Sequence, residues 1–314
     1  MFCVLPEVAV NEEHINTYTI LSAWFISILI IAMNIPVFIV TSRLKETSDA
    51  TKITMFSLAV TDLVFAILCI LKLSIFAIEG QLADNLVCTI DGFTRLFLSG
   101  VSTTTMTYLC IDRVITIKYP LRYPIYFTRK TVTFIHLGIW LVMGLICIWN
   151  HFVSGMEMAQ MKKDLFCRSE PKYRSTVTLM SVILGFIVPA CSIFACAFIL
   201  LKIVQKQIVE VRALEAAAPS PQAPSLVAHI RAIKTIFCMV AGYYIFWSPI
   251  MLLLAWTYFY GNTYHPTTAI VLVRLAMFNS MINPLVYLPT MREYRTIFKQ
   301  IFIPKILTSE VVPN

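Results

Sequence analysis

Charged residues are few in this chain of 314: Asp, Glu, Lys and Arg together make up 13%, against 58% hydrophobic residues. A soluble domain carries roughly 25% charge, so a water-exposed globular fold is excluded and a membrane protein is read instead. Basic residues are missing altogether from positions 1–42, where the charges are Glu7, Glu12 and Glu13. There is no glycine-rich phosphate loop, and the five histidines (His14, His136, His151, His229 and His265) share no metal-ligand spacing. That leaves no enzyme site to read. No internal repeat is visible either, which counts against a transporter. The absence of any Asn-x-Ser/Thr sequon, with a short N-terminus, argues against capture of a large hormone. The first sixteen residues lack an apolar signal core, so the first apolar run is expected to serve as signal and anchor together.

What is there in abundance is apolar sequence. Seven runs are long enough for the about 20 residues a bilayer core requires: 17–41, 53–78, 89–115, 131–153, 175–204, 231–260 and 267–288. Their connections are short, so one domain is expected. Lysine and arginine mark cytoplasmic loops, and most of the 25 basic residues fall after odd-numbered runs or in the tail. Arg43, Lys45 and Lys52 flank the first turn, and Arg113, Lys118, Arg122, Arg129 and Lys130 the third-to-fourth connection. Lys202, Lys206, Arg212, Arg231 and Lys234 flank the fifth-to-sixth, and Arg292, Arg295, Lys299 and Lys305 the tail. The formal charge of +8 is thus an orientation signal and not evidence for nucleic acid. The organisation read is an extracellular N-terminus at 1–16, a seven-span domain at 17–290, an amphipathic surface helix at 291–302 and a cytoplasmic tail at 303–314. Tyr294, Ile297, Phe298 and Ile301 give that short helix its apolar stripe, which lies on the inner membrane surface.

Polar residues inside the runs are the informative ones, because a charge in hydrocarbon costs several kcal/mol. Asp62, about ten residues into the second run, is a functional-site candidate. Ser102, Asn279, Ser280 and Asn283 are the oxygen-bearing partners that would complete a site for a small cation. Asp112 and Arg113 close the third run and mark a membrane face. Six of the nine cysteines lie within runs as small buried hydrophobes. Cys88 and Cys167 fall on the outer side, where a bridge would persist, and Cys3 is either a free thiol or an alternative partner. Pro36, Pro189 and Pro249 interrupt the first, fifth and sixth runs, and Ala216 to Pro224 reads as a proline-rich loop.

Taken together, Asn34, Leu58-Ala59-Val60-Thr61-Asp62, Asp112-Arg113-Val114, Trp140, Pro189, Phe246-Trp247-Ser248-Pro249 and Asn283-Pro284-Leu285-Val286-Tyr287 resemble the markers of a rhodopsin-like (class A) G-protein-coupled receptor. Each lies in the appropriate run, and the likeness covers residues 17–302. The resemblance implies an all-α seven-transmembrane bundle in the plasma membrane and a bridge between Cys88 and Cys167. It implies a sodium ion at Asp62, Ser102, Asn279, Ser280 and Asn283 that favours the inactive state; no other cofactor is expected. It also implies Trp247 as ligand sensor and Arg113 as the contact to a heterotrimeric G protein, with arrestin as a further partner.

Several positions depart from that pattern. Val114 replaces the usual Tyr, Ala197 a Tyr that holds the displaced arginine, and His229 a Glu that restrains Arg113, so Tyr287 must hold the arginine alone. Thr103 and Tyr243 replace the usual apolar and Phe partners of Pro189. In the outer half, Arg95 stands where amine receptors carry Asp, and Met277 where opsins carry the retinal lysine, leaving an opsin-related receptor without its lysine as one alternative reading. Lys72 and Arg95 facing a water-poor cleft would favour a carboxylate, phosphate or sulfate. Asp91, one turn before Arg95, is the alternative partner that would neutralise it. The pocket is read as Lys72, Asp91, Arg95, Ser99, Trp247 and Met277. The switch is read as Asp112, Arg113, Pro189, His229, Tyr243, Trp247, Pro249, Asn283, Pro284 and Tyr287. Arg274 either joins the pocket cations, faces the first helix or snorkels outward. The ligand expected is a small molecule, a lipid or a short peptide, with an acidic group.

Overall fold

A computed structural model gives the architecture and describes residues 17–79, 85–154, 158–160, 167–169, 183, 187–217, 223–260 and 266–303. The long helices are α1 (Thr17–Thr41), α2 (Asp49–Glu79), α3 (Asn85–Lys118), α5 (Arg129–Ser154), α6 (Val188–Ala217) and α7 (Ala223–Tyr260). A short α4 (Tyr123–Tyr126) follows α3, and the seventh run forms two pieces, α8 (Pro266–Met277) and α9 (Asn279–Thr290). Last comes α10 (Arg292–Phe302). The bundle is all-α apart from an antiparallel ladder of β1 (Met158–Gln160) and β2 (Cys167–Ser169), with Gln160 opposite Cys167.

The helices are inside out by the standards of a soluble protein. On α5 the stripe Phe134, Leu137, Leu141 and Leu145 is exposed, as are Phe25 and Ile28 on α1. Ser27, Asn34, Thr54, Ser57, Thr61 and Asp62 are buried instead. Hydrocarbon outside accepts the apolar stripe, while among the polar groups Thr54 and Thr61 donate to their own helix at Ala50 O and Leu58 O, and Asn34, Ser57 and Asp62 meet partners on other helices. Among the described residues, four helical segments (Ile20–Thr41, Asp49–Ile75, Arg129–Trp149 and, counting α8 and α9 together, Thr267–Thr290) are long and apolar enough to cross a bilayer, and 188–203 and 237–253 are shorter apolar segments. At the centre stands α3, which touches α2, α5, α6, α7 and both strands. Trp140 ties α5 to α2 by donating from Nε1 to Ser57 Oγ at 3.1 Å.

Two expectations need correction. The loop read at Ala216 to Pro224 is shorter, because α6 runs to Ala217 and α7 begins at Ala223. Alanine is the best helix former, and Pro224 falls in a first turn, where its missing N–H costs nothing. The seventh run is not one helix but breaks at Phe278. There Phe278 N–H donates to Leu275 O at 3.1 Å and Met281 N–H to Phe278 O at 3.0 Å, tighter i→i−3 turns in place of the α pattern.

Candidate functional site

That break shapes the middle of the bundle. Pro284 has no N–H to give the carbonyl four residues earlier, which is that of Ser280. Asn34 Nδ2 on α1 supplies the missing donor at 3.0 Å, while also donating to Ile30 O at 3.0 Å. The seventh span is thus tied to the first at the level where Asn279, Ser280 and Asn283 turn toward α2.

Asp62 meets them there, 4% exposed. Asn283 Nδ2 donates to its Oδ2 at 3.4 Å, and the Ser280 hydroxyl also bonds the carboxylate. Ser102 and Asn279 line the same space. The amide oxygens of both Asn279 and Asn283 are buried without a hydrogen-bond partner. A carboxylate, hydroxyls and two unsatisfied carbonyl oxygens are the donor set of a hard cation, so the residues fit a sodium ion.

The space widens away from Asp62 into a cavity of about 90 Å³. Helical spacing brings one face of each helix to it: Asp62, Phe65, Cys69 and Lys72 on α2, and Arg95, Ser99 and Ser102 on α3. Trp247 enters from α7, and Arg274 and Met277 from α8. Lys72 is buried, and Arg274 is half-buried, with Nη1 against Met277 Sδ at 3.5 Å. Of the three placements open to Arg274 in the sequence, the structure therefore gives the cavity. Ser99 Oγ donates to its own helix at Leu96 O, 3.1 Å away. The side chains of Asp91, Cys88, Cys167 and His229 lie outside the described residues.

Below the cavity Trp247 packs on two apolar clusters at once, one around Ile250 and Ala276 and a larger one that includes Tyr243 and Tyr287. Its ring lies 6.4 Å from that of Tyr243, which hydrogen-bonds Thr103 on α3. Tyr244 donates its hydroxyl to Ala190 O, beside Pro189. At Gly242 a Cβ would lie 2.8 Å from Ile282 Cγ2, so only glycine lets α7 approach α9 this closely.

Asp112 and Arg113 are held by groups that no spacing in the sequence announced. Tyr123 OH donates to Asp112 Oδ1 at 2.5 Å, and Arg113 Nε lies 3.6 Å from Asp112 Oδ2. Arg113 Nη2 donates to Thr51 Oγ1 on α2, so the guanidinium leans toward α2. Tyr287 is buried with its hydroxyl unpartnered and its ring 5.8 Å from that of Tyr294 on α10. Nearby, Glu293 receives the whole first turn. Its Oε1 accepts from Lys45 N–H and from Glu46 N–H at 2.9 Å. Its Oε2 accepts from Thr47 N–H at 2.9 Å and Thr47 Oγ1 at 2.8 Å. Desolvation alone would raise the Glu293 carboxyl, but these donors outweigh it and hold it below the ordinary carboxylate value.

A helical bundle thus encloses a largely apolar central cavity that carries Asp62 and three basic side chains, with the Asp112 and Arg113 pair at one end of α3. The family model described as "7 transmembrane receptor (rhodopsin family)" matches residues 33–287. The chain belongs to that family, and is a receptor and not an enzyme. It is similar to G-protein coupled receptor 54 of Oreochromis niloticus, 20% identical over 79% of this chain and 68% of that one. It is likewise similar to galanin receptor 2b of Danio rerio, 24% identical over 81% and 66%. Somatostatin receptor type 4 of Rattus norvegicus is 25% identical over 52% and 43%. The chain thus spans between 43% and 68% of the length of these relatives.

Proposed function

We propose that this receptor lies in the plasma membrane with its N-terminus outside, takes a small acidic molecule in the central cavity, and signals to a heterotrimeric G protein by outward movement of α7. The observation that carries the ligand class is the lining, with Lys72, Arg95 and Arg274 on three different helices around one cavity. An oxyanion entering it exchanges water for charge-assisted hydrogen bonds. Trp247 is the physical link inward, since it touches the cavity and both apolar clusters. A short peptide bearing an acidic group is the second reading, favoured by relatives named as receptors for galanin and somatostatin.

At the inner face, Arg113 leaves Thr51 and Asp112 to meet the G protein, and arrestin uses the same opening. His229, in place of an acid, withholds the second restraint on Arg113, so the inactive state is less favoured and basal signalling is expected. A sodium ion at Asp62, Ser102, Asn279, Ser280 and Asn283 counters this by holding α2 to α9.

The test is a second-messenger assay with a panel of small acids. Arg95→Ala should abolish the response at unchanged surface expression; a normal response leaves Arg95 as the partner of Asp91 only. Replacing NaCl by choline chloride should raise agonist affinity in the parent and change nothing in Asp62→Asn. An unresponsive parent removes the sodium ion from the account.

A further inference from the structure

We propose that the groove between the first turn and α10 binds the headgroup of a polyanionic phospholipid, an inositol phospholipid bearing phosphomonoesters, in the leaflet on which α10 lies. This goes beyond the signalling role above and does not depend on what enters the central cavity.

The groove measures about 830 Å³, within the roughly 300–1,000 Å³ of ordinary ligand sites. Its two walls come from distant parts of the chain: Arg43, Lys45 and Glu46 in the turn after α1, and Arg292, Glu293, Thr296 and Gln300 on α10. The four-residue stride of Arg292, Thr296 and Gln300 sets them along one side of that helix. Glu293 builds the groove. Its carboxylate accepts from the backbone of Lys45, Glu46 and Thr47 and from Thr47 Oγ1, which pins the turn to the start of α10. An ionised carboxylate has about four acceptor sites, so the turn fills Glu293 and leaves it little capacity to neutralise a cation as well.

Arg43, Lys45 and Arg292 are exposed, and among the described residues no carboxylate forms an ion pair with them. Glu46 is the other acid on the lining. A headgroup with one net charge meets one of these cations. Phosphomonoesters on a ring present anionic oxygens on more than one side, and so reach cations on both walls, where the guanidiniums of Arg43 and Arg292 offer forks that fit a phosphate bidentately. Ile297 and Ile301 line the same groove, and Phe302 and Ile303 are exposed just beyond it. Apolar surface that continues from a basic groove suits a phosphate carried on acyl chains, and not a free one.

The experiment titrates the purified full-length receptor in detergent with short-chain phosphatidylinositol bisphosphate, phosphatidylserine or phosphatidylcholine, and with free inositol trisphosphate. Thermal unfolding is read at constant ionic strength. In the parent, the bisphosphate lipid should reach half-effect at roughly a tenth of the phosphatidylserine concentration, and the free headgroup should fall well short of the lipid. Arg43→Gln with Arg292→Gln should bring the bisphosphate lipid to the phosphatidylserine value. Arg295→Gln with Lys299→Gln removes two exposed charges from α10 outside the groove and should leave the preference in place. Should the groove pair fail to fold, Lys45→Gln, whose backbone N–H still reaches Glu293, carries the same test with a smaller loss of the same sign. Equal half-effects for phosphatidylserine and the bisphosphate lipid overturn the polyanionic headgroup. A preference lost equally in both pairs is diffuse surface attraction and overturns the groove, as does a preference that survives the groove pair. A free headgroup acting at the same concentration as the lipid overturns the lipid as its source. No shift with any of the lipids overturns the proposal outright.

Discussion

Around Asp62 the bundle is hollow, with polar groups set into a largely apolar lining, whereas below Trp247 it is filled by Leu200, Met239, Tyr243, Tyr287 and Tyr294, all nearly inaccessible. In the hollow part, amide oxygens of Asn279 and Asn283 stay without hydrogen-bond partners. At the filled end, Asp112 meets Tyr123 and Arg113, Arg113 meets Thr51 and Glu293 meets the first turn, while the hydroxyl of Tyr287 stays buried without a hydrogen-bond partner. The difference teaches where each region keeps its free energy. The middle is poised to gain contacts from something that enters it. The inner end holds Asp112 and Arg113 in contacts that must break before Arg113 can move.

The sharpest way to break that comparison is at Arg113. Arg113→Ala should abolish G-protein output, basal and stimulated, at equal surface expression. His229→Glu, adding an acid to α7, should lower basal output while leaving the maximal response. A shift of about 1.4 kcal/mol changes a two-state ratio tenfold. If the parent's basal output equals that of mock-transfected cells, the missing hydroxyl at Ala197 was the stronger of the two departures.

A smaller effect is expected where the filled region is tightest. Gly242→Ala puts a methyl 2.8 Å from Ile282 Cγ2, and the β-branched Ile282 cannot rotate away cheaply. Overpacking of this kind costs roughly 1–3 kcal/mol, read as a lower unfolding temperature. In an Ile282→Ala background, itself destabilised, adding Gly242→Ala should cost little further. A cavity-side change, Ser99→Ala, should leave stability nearly unchanged, because its hydroxyl bonds only its own helix among the hydrogen bonds described.

The smallest expected effect is at the membrane surface. Glu293→Gln keeps the shape but removes the charge that four donor groups address, costing about 1 kcal/mol given its partial exposure. The pH dependence has a definite sign. The folded carboxyl titrates below its ordinary 4.5, so its stabilisation is complete above that value and is lost as pH falls through the lower folded one. Protection factors for amide exchange at the first turn, Lys45 to Thr47, taken against the intrinsic rate at each pH, should therefore fall on acidification in the parent and be low and flat in Glu293→Gln. Equal protection in the two proteins would show that the turn holds itself.

How much of this was legible in advance follows from the range of the signals. The long runs, the membrane and the amphipathic stripe of Tyr294, Ile297, Phe298 and Ile301 are local patterns of hydropathy, readable over one or two turns. The break at Phe278 was not, since no breaker stands at that position. The nearest breaker, Pro284, stands six residues away and frees the carbonyl of Ser280, which Asn34 on another helix answers. Thr51 and Tyr123 were missed for a related reason: a hydroxyl at a helix end or in a short connecting helix looks ordinary until Arg113 and Asp112 are set beside it. The acid of Glu293 looked like one more surface charge.

The sequence by itself determined that the chain lives in a membrane, which residues are too polar to be there without partners, and which of them resemble a receptor's switch. Those facts depend on transfer free energies, which belong to each residue alone. Only the tertiary structure decided who the partners are: that Arg274 joins Lys72 and Arg95 at one cavity, that Asn34 answers the carbonyl released by Pro284, and that Glu293 gathers the first turn. Electrostatic and hydrogen-bond energies depend on distances of a few ångströms between residues tens to hundreds of positions apart, and packing alone sets those distances.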